Sequence, residues 1–263
     1  MNTAPAVVKE CCAVAYASPW VSLVLGESWH PGGLDLTERV GRYLALTPAD
    51  VVGDVAAGEG ASGRHLVRRF GCRVQALDLG GVQVARGRAA SDREGLADRM
   101  TFQQGDAEAL PWDTESLDAV LCECALCTFP SPEAAVSEWV RVLKPGGRIG
   151  LTDVTRRGAL PTEFDNLAGW IGCLAGARSL DAYAKLLTDV GLMVQVREDR
   201  SGDLDALVAR IGRALLAWLK FQGPTATLGG WRRKDVEHTL EVIRSAIAQR
   251  TLGYGVLTAW RPA

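Results

Sequence analysis

Cysteine is the reactive residue that the sequence concentrates most. Three of the seven cysteines fall within six residues of the run Leu121-Cys122-Glu123-Cys124-Ala125-Leu126-Cys127. The others are the pair Cys11-Cys12 and two isolated residues, Cys72 and Cys173. A set that is odd in number and clustered does not resemble a disulfide framework. Thiol chemistry, binding of a soft metal ion and simple burial of small apolar side chains remain as roles.

The Cys-x-Cys-x-x-Cys spacing bears on two kinds of metal site. A structural zinc ion or an iron–sulfur cluster takes four ligands, which for zinc usually come as two spaced pairs. The fourth ligand would have to be a distant cysteine, so the spacing argues against such a site. If the preceding strand continues through this run, Cys122 and Cys124 share one of its faces and Glu123 points the other way.

A second group of chemically capable residues stands at the ends of apolar runs. Asp54 begins the segment Asp54-Val55-Ala56-Ala57-Gly58-Glu59-Gly60, whose glycines let a ligand approach the backbone closely. Asp78 follows about twenty residues later, where an acid binds ribose hydroxyls. Gly105-Asp106-Ala107-Glu108 ends the next run, where Asp106 can accept from an adenine amino group. No Gly-Lys-Ser/Thr follows the glycines, which excludes a Walker phosphate loop.

These residues follow strands in a repeating strand–helix pattern. Such alternation predicts βαβ units and a mainly parallel sheet, whose ligands bind outside the carboxyl ends of the strands. The predicted strands span residues 51–56, 73–78, 100–103, 117–121, 148–154, 191–196 and 254–260. Residues 1–30 and 203–250 have helical patterns, and the turn His30-Pro31-Gly32-Gly33 ends the first of these regions.

Composition restricts the classes of function. The chain has 263 residues with 48% hydrophobic and 23% charged side chains, which indicates a globular protein of one elaborated domain. A net charge of -2 gives no basic excess for nucleic acid or anionic membranes. The N-terminus lacks a signal-peptide pattern, and no apolar run approaches the length of a membrane span. We therefore expect a cytoplasmic protein with reduced thiols and a small-molecule partner, and no nucleic-acid or membrane partner.

The glycine-rich segment, the two later acids and a further motif together resemble the class I S-adenosylmethionine-dependent methyltransferases. The segment from Asp54 to Gly60 looks like the first motif of that family, and Asp78 like its ribose-binding acid. Residues 105–112, Gly-Asp-Ala-Glu-Ala-Leu-Pro-Trp, are similar to its adenine-side segment. Residues 141–147, Arg-Val-Leu-Lys-Pro-Gly-Gly, resemble its motif before the fifth strand.

This resemblance implies a Rossmann-like α/β fold, with a seven-stranded and mostly parallel sheet, helices on both faces and an antiparallel last strand. It implies one methyltransferase domain over residues 1–263. Its parts are an N-terminal helical cap (1–45), the cofactor-binding core (46–155), an acceptor-side segment with the sixth strand (156–202), a helical insertion (203–250) and the last strand (251–263). The cofactor S-adenosylmethionine is expected to contact Asp54, Gly58, Gly60, Asp78, Leu79, Asp106, Ala107 and Cys122.

The cysteine segments carry a closer resemblance. Residues 118–124, Asp-Ala-Val-Leu-Cys-Glu-Cys, look like the segment of arsenite methyltransferases that presents an arsenic-binding cysteine, with Cys124 at the matching position. Residues 170–177, Trp-Ile-Gly-Cys-Leu-Ala-Gly-Ala, resemble their second such segment, matched by Cys173. The pair Cys11-Cys12 resembles an N-terminal cysteine pair of those enzymes. The resemblance therefore implies Cys12, Cys124 and Cys173 as catalytic ligands of As(III).

Two segments depart from the arsenite enzymes, which leaves the acceptor open. They are the His30–Gly33 turn and the helical region 203–250, since those enzymes carry a different C-terminal domain. The first function in view is methylation of a thiolate-bound As(III) species, free or complexed with glutathione. The second is S- or O-methylation of a small organic acceptor in a pocket lined by cysteines. The third is metalloid binding without turnover.

The arsenic hypothesis requires two sulfurs to lie close together. As(III) is soft and thiophilic, so two or three thiolates would hold it with its lone pair directed at the methyl group of the cofactor. Catalysis would then consist mainly of positioning for an in-line displacement. The sulfurs of Cys124 and Cys173 should lie within about 3.5–4 Å of each other and face one cavity, over which the Cys11-Cys12 segment folds. A separation above about 10 Å would exclude the hypothesis.

Other segments and side chains have simpler interpretations. We expect residues 156–180 and 203–250 to lie above the carboxyl edge of the sheet and to shape the acceptor pocket as a lid. A turn-forming role is favoured for His30 over that of a general base. Packing is favoured over a cation–π cage for the three tryptophans Trp29, Trp170 and Trp218.

Overall fold

Strands and helices alternate along the chain in the computed structural model, which describes residues 5–17, 26, 28–159, 173–223, 227–228 and 231–262. The helices are α1 (Pro5–Tyr16), α2 (Gly33–Tyr43), α3 (Ala61–Phe70), α4 (Gly81–Arg93), α5 (Pro132–Val142), α6 (Leu180–Asp189), α7 (Ser201–Gln222) and α8 (Arg233–Ala248). The strands are β1 (Val51–Val55), β2 (Arg73–Asp78), β3 (Met100–Gln104), β4 (Leu117–Glu123), β5 (Leu143–Arg156), β6 (Met193–Asp199), β7 (Thr227–Leu228), β8 (Trp231–Arg232) and β9 (Leu252–Trp260).

Seven of the described strands form one sheet, in the order β3-β2-β1-β4-β5-β9-β6. The pairs among β1 to β5 are parallel, whereas β9 runs antiparallel to both of its neighbours, β5 and β6. The predicted Rossmann-like fold with an antiparallel last strand is therefore confirmed. The strands β7 and β8 pair with each other between α7 and α8, so the predicted helical insertion consists of two helices and a short hairpin.

Several predicted strand boundaries are wrong, among them the starts of β5 and β6. β5 begins at Leu143 rather than at residue 148, because Leu143 pairs with Leu117 of β4 before an irregularity in the register. β6 begins at Met193 rather than at residue 191, because Gly191 turns the chain with a φ of 86°. Glycine adopts this left-handed conformation readily, so the residue belongs to the turn and not to the strand.

A hydrophobic core covers each face of the sheet. Side chains of α2, α3, α7 and α8 contribute to the first core, and those of α5 and α6 to the second. Successive residues of β4 alternate between them, since Ala119 and Leu121 belong to the first core and Val120 and Cys122 to the second. A strand that is buried on both faces needs apolar side chains on both. This explains why β4 appears in the sequence as a continuous apolar run.

Helices α7 and α8 lie on a face of the sheet and not over its edge. They pack against each other and against β9, and Leu204, Val208 and Ile247 belong to the first core. The cavity described below has no lining residue from 203–250. The prediction that this region shapes the acceptor pocket is therefore wrong for the described residues, because its apolar surface is buried on the sheet. Of the other predicted lid segment, 156–180, residues 160–172 lie outside the described residues.

None of the described helices could cross a lipid bilayer, because none combines the necessary length with sufficient apolar character. Even α7, which has 22 residues, carries charged side chains along its length.

Trp139 is the largest fully buried side chain of the second core. Replacing it with alanine leaves a cavity that the surrounding side chains fill only in part, so Trp139→Ala should lower the free energy of unfolding by about 3–5 kcal/mol. Phe221→Ala is the matched control, because Phe221 is 86% exposed, and its effect should stay within about 0.5 kcal/mol. Urea unfolding of both variants measures the difference. Equal stabilities would contradict the assignment of the second core.

Candidate active site

One cavity opens at the carboxyl ends of β1, β2 and β4, where the chain order of the strands reverses. Open α/β sheets bind ligands at such a switch point. The residues that line the cavity are Lys9, Cys12, Ala13, Tyr16, Ser28, Trp29, His30, Asp54, Ala56, Ala57, Gly58, Glu59, Ala61, Ser62, Leu77, Asp78, Leu79, Gln83, Gly105, Asp106, Ala107, Glu123, Cys124, Ala125, Thr128 and Phe129. Glycines and acids lie at one end, which we call the cofactor end, and cysteine lies at the other, which we call the sulfur end.

The turn after β1 is fixed at the cofactor end by Asp78. The Asp78 carboxylate accepts hydrogen bonds from the backbone N–H of Gly58 at 2.7 Å and of Gly80 at 2.8 Å. Burial raises the pKa of Asp78, and these two donors oppose that rise. Gly58 and Gly60 both have positive φ, and a Cβ on Gly60 would lie 2.6 Å from the Phe102 ring. Each carboxylate oxygen of Asp78 retains capacity to accept from a ligand hydroxyl.

The cavity includes six of the eight residues predicted to contact a cofactor. They are Asp54, Gly58, Asp78, Leu79, Asp106 and Ala107. Gly60 is not among the lining residues and instead begins α3 as its N-cap. Cys122 is not among them either, because the alternation of β4 buries its side chain completely in the second core. The structure therefore does not bring the Cys122 side chain to the cavity, and its contact with the cofactor stays a prediction.

Cys122 and Cys124 also do not share a face, as a continuing strand would require. β4 ends at Glu123, and Cys124 has a φ of 53°, which is outside the extended region. Cys124 packs against the first core, whereas Cys122 lies in the second. The change in backbone conformation thus places the Cys124 side chain on the side of the sheet that also holds Glu123.

Asp106 has a partner from the N-terminal helix. The Lys9 ammonium lies 2.7 Å from Oδ2 of Asp106 and 2.6 Å from Oε2 of Glu108. Burial lowers the pKa of Lys9, but the hydrogen bonds to Asp106 and Glu108 outweigh it, and the pKa is raised. Lys9 therefore stays charged at neutral pH and joins α1 to the cofactor end of the cavity.

A buried histidine and a buried carboxylate face each other beside the cavity. His30 Nδ1 donates to the Pro31 carbonyl at 3.0 Å, and Nε2 lies 3.2 Å from Oε2 of Glu123. Nε2 also lies 3.2 Å from the Thr37 hydroxyl and 3.4 Å from the Ser62 hydroxyl. Burial lowers the pKa of His30, but the Glu123 charge raises it overall. Thr37 and Ser62 donate to the same Glu123 oxygen at 2.9 and 2.6 Å.

Asp54 is the third charged group of this region. It is 3% exposed at the end of β1, and its Oδ2 has no hydrogen-bond partner among the described residues. Burial and then the negative charge of Glu123 raise the pKa of Asp54 to about 7. A buried carboxyl oxygen without a partner is costly, and a cationic ligand in the cavity would supply the missing charge.

The sulfur end contains a close pair of thiols. The Sγ atoms of Cys124 and Cys173 lie 4.0 Å apart, at the upper limit of the predicted range. Both residues have positive φ, 53° and 62°, which is uncommon outside glycine. The backbone N–H of Cys124 donates to the Thr152 carbonyl at 2.7 Å and holds this conformation. Strained residues of this kind gather at functional sites.

The pKa values of the two thiols are shifted in opposite directions. Hydrogen bonds from Cys124 and Cys127 hold the pKa of Cys173 well below its usual range. The hydrogen bond to Cys173, together with burial, raises the pKa of Cys124 well above its usual range. The Tyr16 hydroxyl lies 3.8 Å from the Cys173 sulfur and also favours its charged form. A lowered pKa at Cys173 favours its thiolate, which is the form that binds soft ions.

Of the predicted ligands Cys12 and Cys173, one lines the cavity and the other does not. Cys12 lines the cavity together with Cys124, but Cys173 is 5% exposed and is not among the lining residues. The prediction that Cys124 and Cys173 both face the cavity is therefore wrong for Cys173 in this conformation. No group of three His, Cys, Asp or Glu in the described part of the chain has the geometry to hold a metal ion. Cys12 is thus not in place as a third ligand.

Several lining residues had no predicted role at the site. Glu123 is one of them, because the strand pattern does not reveal its burial against His30, for which the sequence favours a turn-forming role. Lys9 and Tyr16 lie on the cavity side of α1 together with Cys12. Cys12 follows Lys9 by three residues and precedes Tyr16 by four, a spacing that places side chains on one face of a helix and that the sequence shows. Trp29 stacks on Tyr16 with ring centroids 6.0 Å apart, while Trp170 lies outside the described residues.

Comparison with known proteins agrees with this arrangement. Residues 53–151 match the family model described as a methyltransferase domain. The match assigns a methyltransferase domain to this part of the chain. The geranyl diphosphate C-methyltransferase of Streptomyces coelicolor A3(2), solved with S-adenosyl-L-homocysteine, has the same fold, with a TM-score of 0.76, 18% identity, and coverage of 98% of this chain and 100% of that one.

Two curated relatives match the methyltransferase domain over part of their length. The methyltransferase GfsG of Streptomyces halstedii is 32% identical over 165 residues, which cover 61% of this chain and 59% of that protein. The arsenite methyltransferase of Halobacterium salinarum is 27% identical over 163 residues, which cover 57% of this chain and 39% of that protein. The match therefore spans less than two thirds of the length of either relative.

The cavity of the methyltransferase suits S-adenosylmethionine. The cofactor bears a positive sulfonium and an ammonium group, and the cavity offers the unpartnered oxygen of Asp54. Asp78 has acceptor capacity for ribose hydroxyls beside the turn at Gly58.

Cofactor affinity should rise with pH in the range that Asp54 titrates. Below its pKa of about 7 the Asp54 carboxyl is neutral in the free protein, and a cationic cofactor must displace the proton. The dissociation constant for S-adenosylmethionine should therefore fall as pH rises from 5.5 to 7.5, by up to about tenfold per pH unit, and then level off. Titration calorimetry of the wild type and of Asp54→Asn measures this slope. An equal slope in the variant would contradict the role of Asp54.

Asp78→Ala should weaken binding of S-adenosylmethionine by about 1.5–3 kcal/mol, because it removes charge-assisted hydrogen bonds to the ribose. Asp98→Ala is the control, since Asp98 is exposed and outside the cavity. Calorimetry gives both affinities. Unchanged binding in Asp78→Ala would overturn the assignment of the cofactor end.

Proposed function

We propose that the protein transfers a methyl group from S-adenosylmethionine to a thiolate-bound As(III) species. The observation that supports this acceptor most is the 4.0 Å separation of two sulfurs, that of Cys124, which lines the cavity, and that of Cys173, which is buried beside it. Soft thiolates suit a soft acceptor, and Cys173 is the thiol whose charged form the site favours. The similarity to an arsenite methyltransferase supports the same class of acceptor.

The residues of the chain divide the work between the two ends of the cavity. When bound, S-adenosylmethionine supplies a methyl group that its sulfonium makes electrophilic. Asp54, Gly58 and Asp78 hold and orient the cofactor at one end. Cys124 and Cys173 hold As(III) at the other, with its lone pair directed at the methyl group. Because a metalloid held by thiolates needs no general base, catalysis consists mainly of positioning for an in-line displacement.

Cys12 is the proposed third ligand. It lines the cavity from α1, and burial followed by the nearby Cys173 raises its pKa to about 11. Acceptor binding must therefore displace the Cys12 proton as α1 brings this thiol closer to the other two. A small thiol such as glutathione would serve as a ligand until then. A cytoplasmic location belongs to the same proposal, since it keeps all these thiols reduced.

A small organic acceptor is the second candidate, and two observations favour it. The stacked rings of Tyr16 and Trp29 line the cavity and offer a surface to a flat apolar molecule. Cys173 is not among the lining residues, so the cysteines that line the cavity are Cys12 and Cys124. S- or O-methylation of such an acceptor would not depend on Cys173. Metalloid binding without turnover is the third candidate. Measuring As(III) binding together with As(III) methylation distinguishes it from the first.

Cys124→Ser and Cys173→Ser should each lower methylation of As(III), assayed with glutathione, by at least about 100-fold, because a hydroxyl is a poor ligand for a soft ion and misplaces the acceptor. Binding of S-adenosylmethionine should change by less than about threefold, since neither residue lies at the cofactor end. Cys11→Ser is the matched control, because Cys11 is not among the cavity-lining residues. Formation of S-adenosylhomocysteine and of methylated arsenic is measured by mass spectrometry.

Two results would replace the arsenic proposal. Turnover of a thiol or phenol that is insensitive to both serine substitutions would establish the organic acceptor. Tight binding of As(III) that depends on both cysteines, without formation of methylated arsenic, would establish a binding protein.

A further inference from the structure

One face of α1 runs along the cavity from the cofactor end to the sulfur end. Lys9, Cys12, Ala13 and Tyr16 line the cavity, and this spacing places them on the same side of the helix. Val14, on the other side, is 68% exposed. A single short helix therefore contacts both ends of the site.

Lys9 fixes α1 at the cofactor end through two carboxylates. Its ammonium lies 2.7 Å from Asp106 Oδ2 and 2.6 Å from Glu108 Oε2, and all three side chains are partly buried. Both acids are themselves held, because Asp106 Oδ1 accepts from the Glu108 N–H at 2.9 Å and Glu108 Oε1 accepts from the Ser131 N–H at 2.7 Å. Ion pairs of this kind are screened less than fully exposed ones.

The other end of α1 is held by the stacking of Tyr16 on Trp29, by the contact of the Tyr16 hydroxyl with the Cys173 sulfur, and by two side chains of α4. The side chains of Gln83 and Arg86 donate to the carbonyls of Ala13 and Ala17 at 3.1 and 3.3 Å. A helix of 12 residues is only marginally stable without such tertiary contacts. The first turn of α1 carries no acidic residue that would stabilise it from within. The ion pairs of Lys9 are the charged contacts that position the first half of α1.

We infer that Lys9 is a positioning residue, which couples cofactor binding to the acceptor site through α1. Asp106 keeps acceptor capacity for the adenine amino group while it binds Lys9. A cofactor bound there adds contacts to the face of α1 that carries Lys9 and Ala13. The docked helix then holds Cys12 and Tyr16 beside Cys173. This role rests on the proposed function, because the sulfur end must be the acceptor site for the coupling to serve catalysis.

Chemical modification of Cys12 tests the coupling without arsenic. The rate at which N-ethylmaleimide modifies Cys12 is measured at one pH by peptide mass spectrometry, with and without saturating S-adenosylhomocysteine. We expect the ligand to slow the reaction at least about fivefold in the wild type. In Lys9→Met the reaction should be faster without ligand, and protection should fall below about twofold. Lys9→Arg should retain protection, because its guanidinium keeps both ion pairs.

The controls separate positioning from folding and from direct contact. Lys185→Met removes an exposed ion pair with Asp189 far from the cavity and should behave as the wild type. If Lys9→Met does not fold, Glu108→Gln, which weakens only one of the two pairs, takes its place and should show intermediate protection. Full protection by the ligand in a folded Lys9→Met protein would overturn the inference. So would a loss of S-adenosylhomocysteine affinity above about tenfold, which would make Lys9 a direct cofactor ligand.

The outcome for Lys9 is independent of the outcome for arsenic. If the wild type fails to methylate or bind As(III), the proposed acceptor is wrong, while the Cys12 rates still show whether Lys9 couples α1 to the cofactor. If As(III) is methylated and Cys12 protection does not depend on Lys9, the proposed function stands and the role of Lys9 is wrong.

Discussion

The backbone conformation of Cys124 is the constraint on which the site depends. In a continuing strand, Cys124 would follow Cys122 into the second core and Glu123 would stand alone on the opposite face. The positive φ at Cys124 turns its side chain to the face where it meets Cys173, while Glu123 remains against His30. A left-handed residue other than glycine costs about 1–2 kcal/mol. The hydrogen bond to Thr152 and the packing around the thiols offset that cost.

Electrostatics make the middle of the cavity dependent on a ligand. Asp54 and Glu123 place two buried carboxyl groups beside the imidazole of His30, and each acid retains one oxygen without a partner among the described residues. Incomplete networks of this kind cost stability in a closed core. In a cavity that binds a cation, the ligand supplies the missing partners of such a network. This is a physical reason why active sites contain buried polar groups that a closed core would not tolerate.

The sequence predicts the fold better than the site because its signals are local. Strand–helix alternation gives the sheet, and the spacing from Gly58 to Asp78 gives the cofactor end, since both depend on neighbours along the chain. The proximity of Cys124 and Cys173 is implied by resemblance alone, because 49 residues separate them. A prediction from the alternation of side chains along β4 places Cys124 on the wrong face of the sheet. The hydrophobic pattern does not reveal that one residue adopts a left-handed backbone conformation. The pairing of Lys9 with Asp106 is a long-range contact that no spacing encodes.

The central claim is that the thiols of Cys124, which follows β4, and of Cys173, which precedes α6, form the acceptor site. X-ray absorption spectroscopy at the arsenic edge tests it directly, on protein loaded with As(III) and S-adenosylhomocysteine in the absence of small thiols. We expect arsenic bound by at least two sulfurs in the wild type, and no arsenic–sulfur coordination at this site in the Cys124→Ser/Cys173→Ser variant. Arsenic coordinated by oxygen alone in the wild type, or an identical spectrum in the variant, would contradict the claim.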